Sequence, residues 1–491
     1  MGGWLSGFSS AGVCRSRYRS PFRSGHPYVL WIAFHLPHLP LEALLRGCDP
    51  NRWCDEPWAV IEHRSVFVGN AAAQALGVRS GMPLSAAWAI APALRTVPRN
   101  LRAEREGLEG VAAWLGRFTP RVSIEAPCRV VAEVAGSLRL FGGLERLEQA
   151  LRSGLDALGF GVRLASAPTA RAALWRAAGG GSALEDLRVE VTGARPDILE
   201  LLHNLGVRTL GELMRLPRDG VARRLGQGLL DDLDRALGKI PEPRAAFVPP
   251  ARFAARLELP AQVMAAEGLL FAAHRLLVQL EGVLVARQSG IRGFALSLRH
   301  LGMRPTRVTV PLASPSRDAT HFTALLRERL MQLALVAPVE AILLQAADFE
   351  PLHGTTASLF RDAHDAGGGW GRLLDRLAAR LGETAVHGLT IRSEHRPEFA
   401  AQAVAPESPS GARPAALPGE PGPRPLWLLE TPRRLGENEF VLLAGPERIE
   451  SGWWDDHEVR RDYFIARTGE ASLVWIFREH GGSWFLHGIF A

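Results

Sequence analysis

The chain has 491 residues, more than one hydrophobic core organises, so two to four domains are expected. Hydrophobic residues make up 47% and charged residues 22%, which suits a folded rather than a disordered chain. No uninterrupted apolar run approaches the roughly 20 residues of a membrane span, and no membrane is expected as a partner. The net charge is +6, unevenly spread: residues 426–491 hold 7 Arg against 11 Asp and Glu, so the rest of the chain is strongly basic. A basic body suits nucleic acid and an acidic end suits protein. Lys239 is the single lysine, so the arginine abundance also fits a coding bias. Cys14, Cys48, Cys54 and Cys128 show no paired spacing, and a reducing, cytoplasmic setting is expected.

In chain order, residues 1–26 are rich in Ser, Gly and Arg and are read as a disordered extension, a presequence being the alternative. Residues 29–36 form an apolar strand that runs through Pro37 and Pro40 into a helix. A hairpin is expected over 57–68, helical structure over 70–95 and a helix at 104–118. Strands follow near 121–134, then a turn at Gly136-Ser137-Leu138-Arg139-Leu140-Phe141-Gly142-Gly143. Helix 144–158, strand 160–166 and helix 168–178 complete an α+β pattern.

Residues 179–245 read as short helices with glycine breaks. Leu205-Gly206-Val207-Arg208-Thr209 has the form of a helix-hairpin-helix turn, which offers backbone N–H groups to a DNA phosphate; a plain helix connection has the same form. Pro241, Pro243, Pro249 and Pro250 mark a linker. A long helix is expected over 260–288, strands near 291–299 and 306–312, a helix at 318–333 and a strand at 339–346. Residues 349–369 read as loop and 370–381 as a short helix. Residues 397–425, dense in Pro, Ala, Gly and Ser, read as a flexible tether. The end is a compact β-unit with hairpin turns at Thr468-Gly469-Glu470 and His480-Gly481-Gly482.

This order of elements, with the opening strand and the Gly136–Gly143 turn, resembles the Y-family (UmuC-like, translesion) DNA polymerases. The tail Glu447-Arg448-Ile449-Glu450-Ser451-Gly452-Trp453-Trp454, with Arg460-Arg461-Asp462-Tyr463-Phe464, is similar to the ImuB-type non-catalytic subgroup of bacterial SOS mutagenesis. The resemblance implies a palm at 27–46 and 103–178, fingers at 47–102, a helix-hairpin-helix thumb at 179–245 and a little finger at 251–348. A loop, short helix and tether follow at 349–425, then a C-terminal interaction domain at 426–491.

The resemblance also implies which residues should carry catalysis, and they are missing. The two metal-binding aspartates of the first strand fall at Ala33 and His35, and imidazole is a poor ligand for a hard cation that wants oxygen. The adjacent Asp-Glu pair falls at Glu125 and Ala126 in one register, or at Cys128 and Arg129 in another. The triphosphate-holding Tyr, Arg and Lys fall at Ala71, Gln74 and Leu174. The ribose gate falls near His38, while the structural acid of the first helix is kept as Glu42. No catalytic residue, resident metal or cofactor is therefore expected. A zinc site from His35, His38, Cys48 and Cys54 has suitable ligand types at unsuitable spacing.

The function implied is that of a non-catalytic adaptor in damage-induced translesion synthesis and mutagenesis, at the nucleoid. Its implied partners are DNA, the sliding clamp, a RecA-like accessory protein and an error-prone replicative-type polymerase. DNA contacts are expected from Gly206, Arg208 and Thr209 and from Arg292, Arg299, Arg304 and Arg307. Clamp binding is expected at Leu359 and Phe360 of Thr356-Ala357-Ser358-Leu359-Phe360; Gln332-Leu333-Ala334-Leu335 is the weaker alternative. Trp453, Trp454, Arg460 and Arg461 are the expected partner-docking residues, the other tail aromatics forming a core. Two further readings stay open: an active polymerase using displaced acids such as Glu125 and Glu133, and a protein scaffold without DNA affinity.

Overall fold

The structure, a computed structural model of the chain, describes residues 29–47, 55–352, 365–392, 394–404, 406, 423–436 and 439–490. The expected N-terminal extension, the clamp motif at 356–360, and Cys14, Cys48 and Cys54 lie outside these residues.

β1 (Trp31–His35) leads into α1 (Leu39–Leu45), with Pro40 in its first turn where the missing N–H costs nothing. β2 (Trp58–Glu62) and β3 (Ser65–Gly69) form the expected antiparallel hairpin. α2 (Ala71–Ala75) and α3 (Leu84–Ile90) follow, then β4 (Arg95–Pro98), which pairs parallel with β2. The two helices fall within the helical reading of 70–95, and β4 after them was not expected: four residues ending in Pro carry almost no strand signal, and register with β2 decides the conformation. Ala59, Val66, Ala73, Ala87 and Leu94 close a small core over this sheet. α4 (Leu101–Leu115) starts at the Asn100 cap, whose side chain accepts from the Ala103 N–H. β5 (Val122–Glu125), β6 (Arg129–Glu133), α5 (Leu138–Phe141), α6 (Leu144–Ala157), β7 (Arg163–Ala167) and α7 (Ala170–Ala178) complete the α+β region. The four-stranded sheet has the order β5-β6-β1-β7.

The chain divides into two compact units. One comprises the described residues up to Phe34, with Val131–Leu147 and Leu164–Pro243; the other comprises His35–Val130, Glu148–Arg163 and the chain from Arg244. In the first unit, α8 (Pro196–Asn204), α9 (Leu210–Arg215), α10 (Arg218–Leu225) and α11 (Gln227–Ala236) bury one core with α7. Leu202, Leu210, Leu225 and Leu233 meet Leu174 and Trp175 there.

In the second unit, β8 (Phe253–Val263) precedes α12 (Ala266–Ala286), followed by β9 (Ser289–His300), β10 (Thr306–Ser316), α13 (Ala319–Met331) and β11 (Val339–Ala346). The sheet order is β10-β9-β11-β8, antiparallel throughout. β8 corrects the reading of a helix from 260. Phe253, Ala255, Leu257 and Leu259 alternate inward, a period of two that Pro260 masks. α12, although interrupted by Glu267, Arg275 and Glu281, is long and apolar enough to cross a membrane by length and composition. Its Leu269, Leu276, Leu280 and Leu284 are fully buried in the core of this sheet domain.

The expected loop at 349–369 is interrupted by β12 (Glu350–Pro351), paired with β9, and by α14, which begins at Asp365 and ends at Leu381. α14 is anchored by Asp375, whose Oδ2 lies 2.8 Å from His321 Nε2 and whose Oδ1 accepts from the Ala313 N–H at 2.6 Å. β13 (Gly388–Ile391) and β14 (Ala401–Val404) pair, so part of the expected tether is ordered. β15 (Trp427–Leu435), β16 (Phe440–Ser451), β17 (Val459–Thr468), β18 (Leu473–Glu479) and β19 (Trp484–Ile489) form an antiparallel sheet of order β15-β19-β18-β17-β16. The two expected turns join β17 to β18 and β18 to β19.

Candidate functional site

β1 presents Ala33 and His35 two residues apart, on one side of the strand. Ala33 is fully buried in an apolar core with Val131 and Ala165. His35 is half-buried, with Nδ1 3.8 Å from Cys128 Sγ. Burial lowers its pKa to about 4, and Arg129, Arg163 and His38 push in the same direction. The imidazole is thus neutral at pH 7 and faces cations. Magnesium would lose its water there, gain no oxygen ligand, and meet Arg129 and Arg163. His38 is lowered too, first by burial and then by Arg163.

The remaining acids near these strands are committed elsewhere. Glu125 Oε2 accepts from Arg244 Nη1 at 2.9 Å. Glu133 Oε1 accepts from the Ala135 N–H at 3.0 Å. Ala126 is exposed and offers nothing. Among the described residues, no group of three or more His, Cys, Asp or Glu is placed to hold a metal ion.

The positions where the resemblance expects triphosphate ligands, and Asn70 before them, serve the scaffold. Asn70 caps α2, its Oδ1 accepting from Ala73 N–H and Trp58 N–H, both at 3.0 Å. Ala71 is exposed, and Gln74 Nε2 donates to the Gly69 carbonyl at 2.9 Å. Leu174 is 1% exposed in the core of the first unit. No cation is left at these three positions to face a triphosphate.

The hairpin at Gly206–Thr209 turns as expected, Gly206 having φ of +79°. Its N–H groups are not available to phosphate, which corrects that part of the reading. Arg208 N–H donates to Glu212 Oε2 at 2.7 Å and Thr209 N–H donates to the same oxygen at 3.0 Å. Val207 N–H donates to the Leu202 carbonyl. Glu212 completes a capping box with Thr209, so a carboxylate sits where a phosphate would. The Thr209-x-x-Glu212 spacing is the sequence signal of this box, and it competes with the phosphate-binding expectation at the same amides. The Arg208 side chain remains exposed.

The four arginines of the sheet domain differ. Arg292 is paired with Glu350 at 2.9 Å, and Arg299 with Glu340 at 3.0 Å. Arg304 and Arg307 are exposed and have no partner among the described residues. Nothing in the sequence distinguishes these four; the cross-strand acids separate them. Gln332 donates to the Arg380 carbonyl at 2.8 Å, and Leu333 and Leu335 pack on the domain core, so this segment is structural.

In the tail, Tyr463, Trp475 and Phe477 form the core, with Tyr463 and Trp475 stacked at 4.1 Å. Trp453 and Trp454 stand out, 78% and 58% exposed, edge to face at 5.4 Å. Arg460 is exposed beside Glu458. Arg461 is not free for a partner: it pairs with Glu398 and donates to the Tyr463 hydroxyl at 3.1 Å. Arg396, unmarked by any sequence signal, is 4% exposed and holds the tryptophan loop. It donates to Asp455 Oδ1 and Oδ2 at 2.8 Å each, and to the His457 carbonyl at 3.1 Å. Gly452, at φ of +86°, lets the backbone pass, since a Cβ there would lie 2.6 Å from Arg396 Nη1.

Residues 47–174 match the model of the impB/mucB/samB family. The chain is also similar to Protein ImuB of Caulobacter vibrioides, in strain NA1000 / CB15N and in strain ATCC 19089 / CIP 103742 / CB 15. It is 29% identical to each over 461 residues, 84% of this chain and 100% of the relative. Among solved structures it resembles a Dbh ternary complex, at 16% identity and TM-score 0.38, over 65% of this chain and 99% of that one. It also resembles DinB from Sulfolobus solfataricus, at 16% identity and TM-score 0.36, over 66% and 100%. The expected Y-family resemblance, and its ImuB type, agree with the family match and with the similarity to Protein ImuB.

Proposed function

We propose that the chain is a non-catalytic relative of the Y-family polymerases, acting as an adaptor in damage-induced mutagenesis. The observation that carries this reading is His35. Where the resemblance puts a metal-binding aspartate, the chain has a neutral imidazole facing Arg129 and Arg163. In this role the body holds DNA through side chains such as Arg208, Arg304 and Arg307, rather than through hairpin amides. Leu359 and Phe360 engage the sliding clamp. The Trp453–Trp454 loop recruits a RecA-like accessory protein and an error-prone replicative-type polymerase, which performs the synthesis. Similarity to Protein ImuB over 84% of the chain supports the association with mutagenesis.

The test is primer extension by the purified chain with all four deoxynucleotides and magnesium or manganese. No extension is expected. Extension that disappears on Glu125→Ala would establish an active enzyme with displaced acids and overturn the adaptor reading.

A further inference from the structure

One buried charge serves no part of that function. Arg46, at the end of α1, is 5% exposed, and its Nε is buried without a hydrogen-bond partner. Among the described residues, no carboxylate or carbonyl accepts from its guanidinium. The Phe160 ring lies 4.6 Å away, and Glu42 and Glu106 act on it only at longer range. Burial and the neighbouring Arg275 lower its pKa to about 10, so it stays charged at neutral pH. A buried charge is normally paired, and an arginine presents its donors in a fork that fits two oxygens of one anion.

Arg46 lines a cavity of about 220 Å³ together with Asn100, Arg102, Glu106, Arg256 and Glu258. The two carboxylates are already neutralised: Glu106 pairs with Arg102 at 2.7 Å and Glu258 with Arg256 at 2.6 Å. That leaves the Arg46 charge in excess. Asn100 and Arg102 also bring the N-terminal turn of α4, a 15-residue helix, to the cavity wall, and its dipole adds positive potential. An adjoining cavity of about 330 Å³ shares Arg46, Glu106 and Arg256 and adds apolar wall from Phe247, Phe253 and Val283. The first cavity is smaller than the ~300–1,000 Å³ of pockets that enclose a whole small molecule, so it suits a head group.

We propose that this cavity binds a phosphate-type oxyanion, gripped by Arg46 at the α4 N-terminus, with the adjoining cavity taking the organic body of a phosphate ester. The inference is independent of the adaptor reading. Two sources share the chemistry, a free nucleotide and a phosphorylated strand end.

Binding is measured on the full chain by calorimetry and thermal melting at fixed ionic strength. The probes are inorganic phosphate, deoxyadenosine monophosphate, and one oligonucleotide with and without a 5′-phosphate. Phosphate at ten times its Kd should raise Tm by on the order of 3 °C over chloride. The monophosphate should bind more tightly than phosphate. A preference for the 5′-phosphorylated oligonucleotide over the monophosphate would assign the strand end, and the reverse would assign the nucleotide. Arg46→Met should abolish the phosphate shift. Where that variant fails to fold, the more exposed Arg256→Gln decides, and should weaken phosphate about tenfold. No phosphate shift in the parent chain, or an undiminished shift in a folded Arg46→Met or in Arg256→Gln, would overturn the assignment.

Discussion

The same substitution, glycine to alanine in a helix, should have opposite signs at Gly282 and Gly220. Ordinarily it stabilises an exposed helix by about 1 kcal/mol, because the unfolded chain loses freedom and the helix gains propensity. Gly220 lies in α10, exposed, with nothing within 4 Å of the added methyl, so that gain should be kept in full. Gly282 lies in α12, against the buried indole of Trp114. A Cβ there would come within 2.9 Å of Trp114 Cγ and 3.0 Å of its Cα. The indole has no room to retreat, because Gly154 of α6 closes on its other edge. Overpacking of a core costs about 1–3 kcal/mol, and a rigid ring held on both sides argues for the upper end. Gly282→Ala should therefore lose about 2 kcal/mol net. The two variants should differ by about 3 kcal/mol. Urea unfolding followed by circular dichroism, with hydrogen exchange of α10 and α12 to assign each change to its own unit, reads both. Gly282→Ala as stable as the parent chain would refute the packing argument.

DNA affinity should fall with salt by about 0.9 log units per log of salt for each phosphate contact. Arg304→Gln with Arg307→Gln should flatten that slope by about 1.8, whereas Arg292→Gln with Arg299→Gln, already ion-paired, should flatten it less. Equal effects from the two pairs would count against the distinction. Glu42, buried on α1 with Oε1 accepting from the Gly161 N–H at 2.9 Å, has its pKa raised to about 7, chiefly by burial. The folded chain then holds this proton more tightly than the unfolded chain. The stabilisation is complete below pH 4.5 and is lost as pH rises through 7, on the order of 3 kcal/mol in all. Glu42→Gln should remove that dependence and be the more stable form at pH 8; parallel stability–pH curves would refute it. Arg396→Ala should free the Trp453–Trp454 loop, seen as faster hydrogen exchange over 452–458 and weaker partner capture, with DNA affinity unchanged. Unchanged exchange there would show that the loop has other support.

Much of this fold was legible because period and punctuation speak locally. The hairpin from Trp58 to Gly69, the helix at 144–157 and the two C-terminal turns each carry their own signal. β4 and β8 were missed for the opposite reason: Arg95–Pro98 is a strand because β2 lies beside it, and β8 ends past a proline. The candidate site divides the same way. That Ala33 and His35 stand where the resemblance expects acids could be read directly. That His35 faces cations could not, because Arg129 and Arg163 lie far from it in sequence. Nor could Glu350 and Glu340 be seen to occupy Arg292 and Arg299, which needs the strand register.

The C-terminal module shows why composition misleads about boundaries. Proline and alanine from 397 onward suggest a tether that begins there. Yet Glu398 pairs with Arg461 of β17, and Arg396 clasps Asp455 in the loop before it. Four polar contacts from two residues, one of them nearly fully buried, fix 394–399 to the sheet as part of its structure. A module cut at residue 426 would lose both partners, leaving Arg461 and Asp455 without their counter-ions. A module that starts before β13 keeps them. The exposed tryptophans are thus not the end of a loose tail. They sit on a loop held by a buried arginine and a glycine at positive φ. Such preorganisation lowers the entropy cost of docking, and it is the physical ground for assigning recruitment to this loop rather than to the acidic charge of the tail alone.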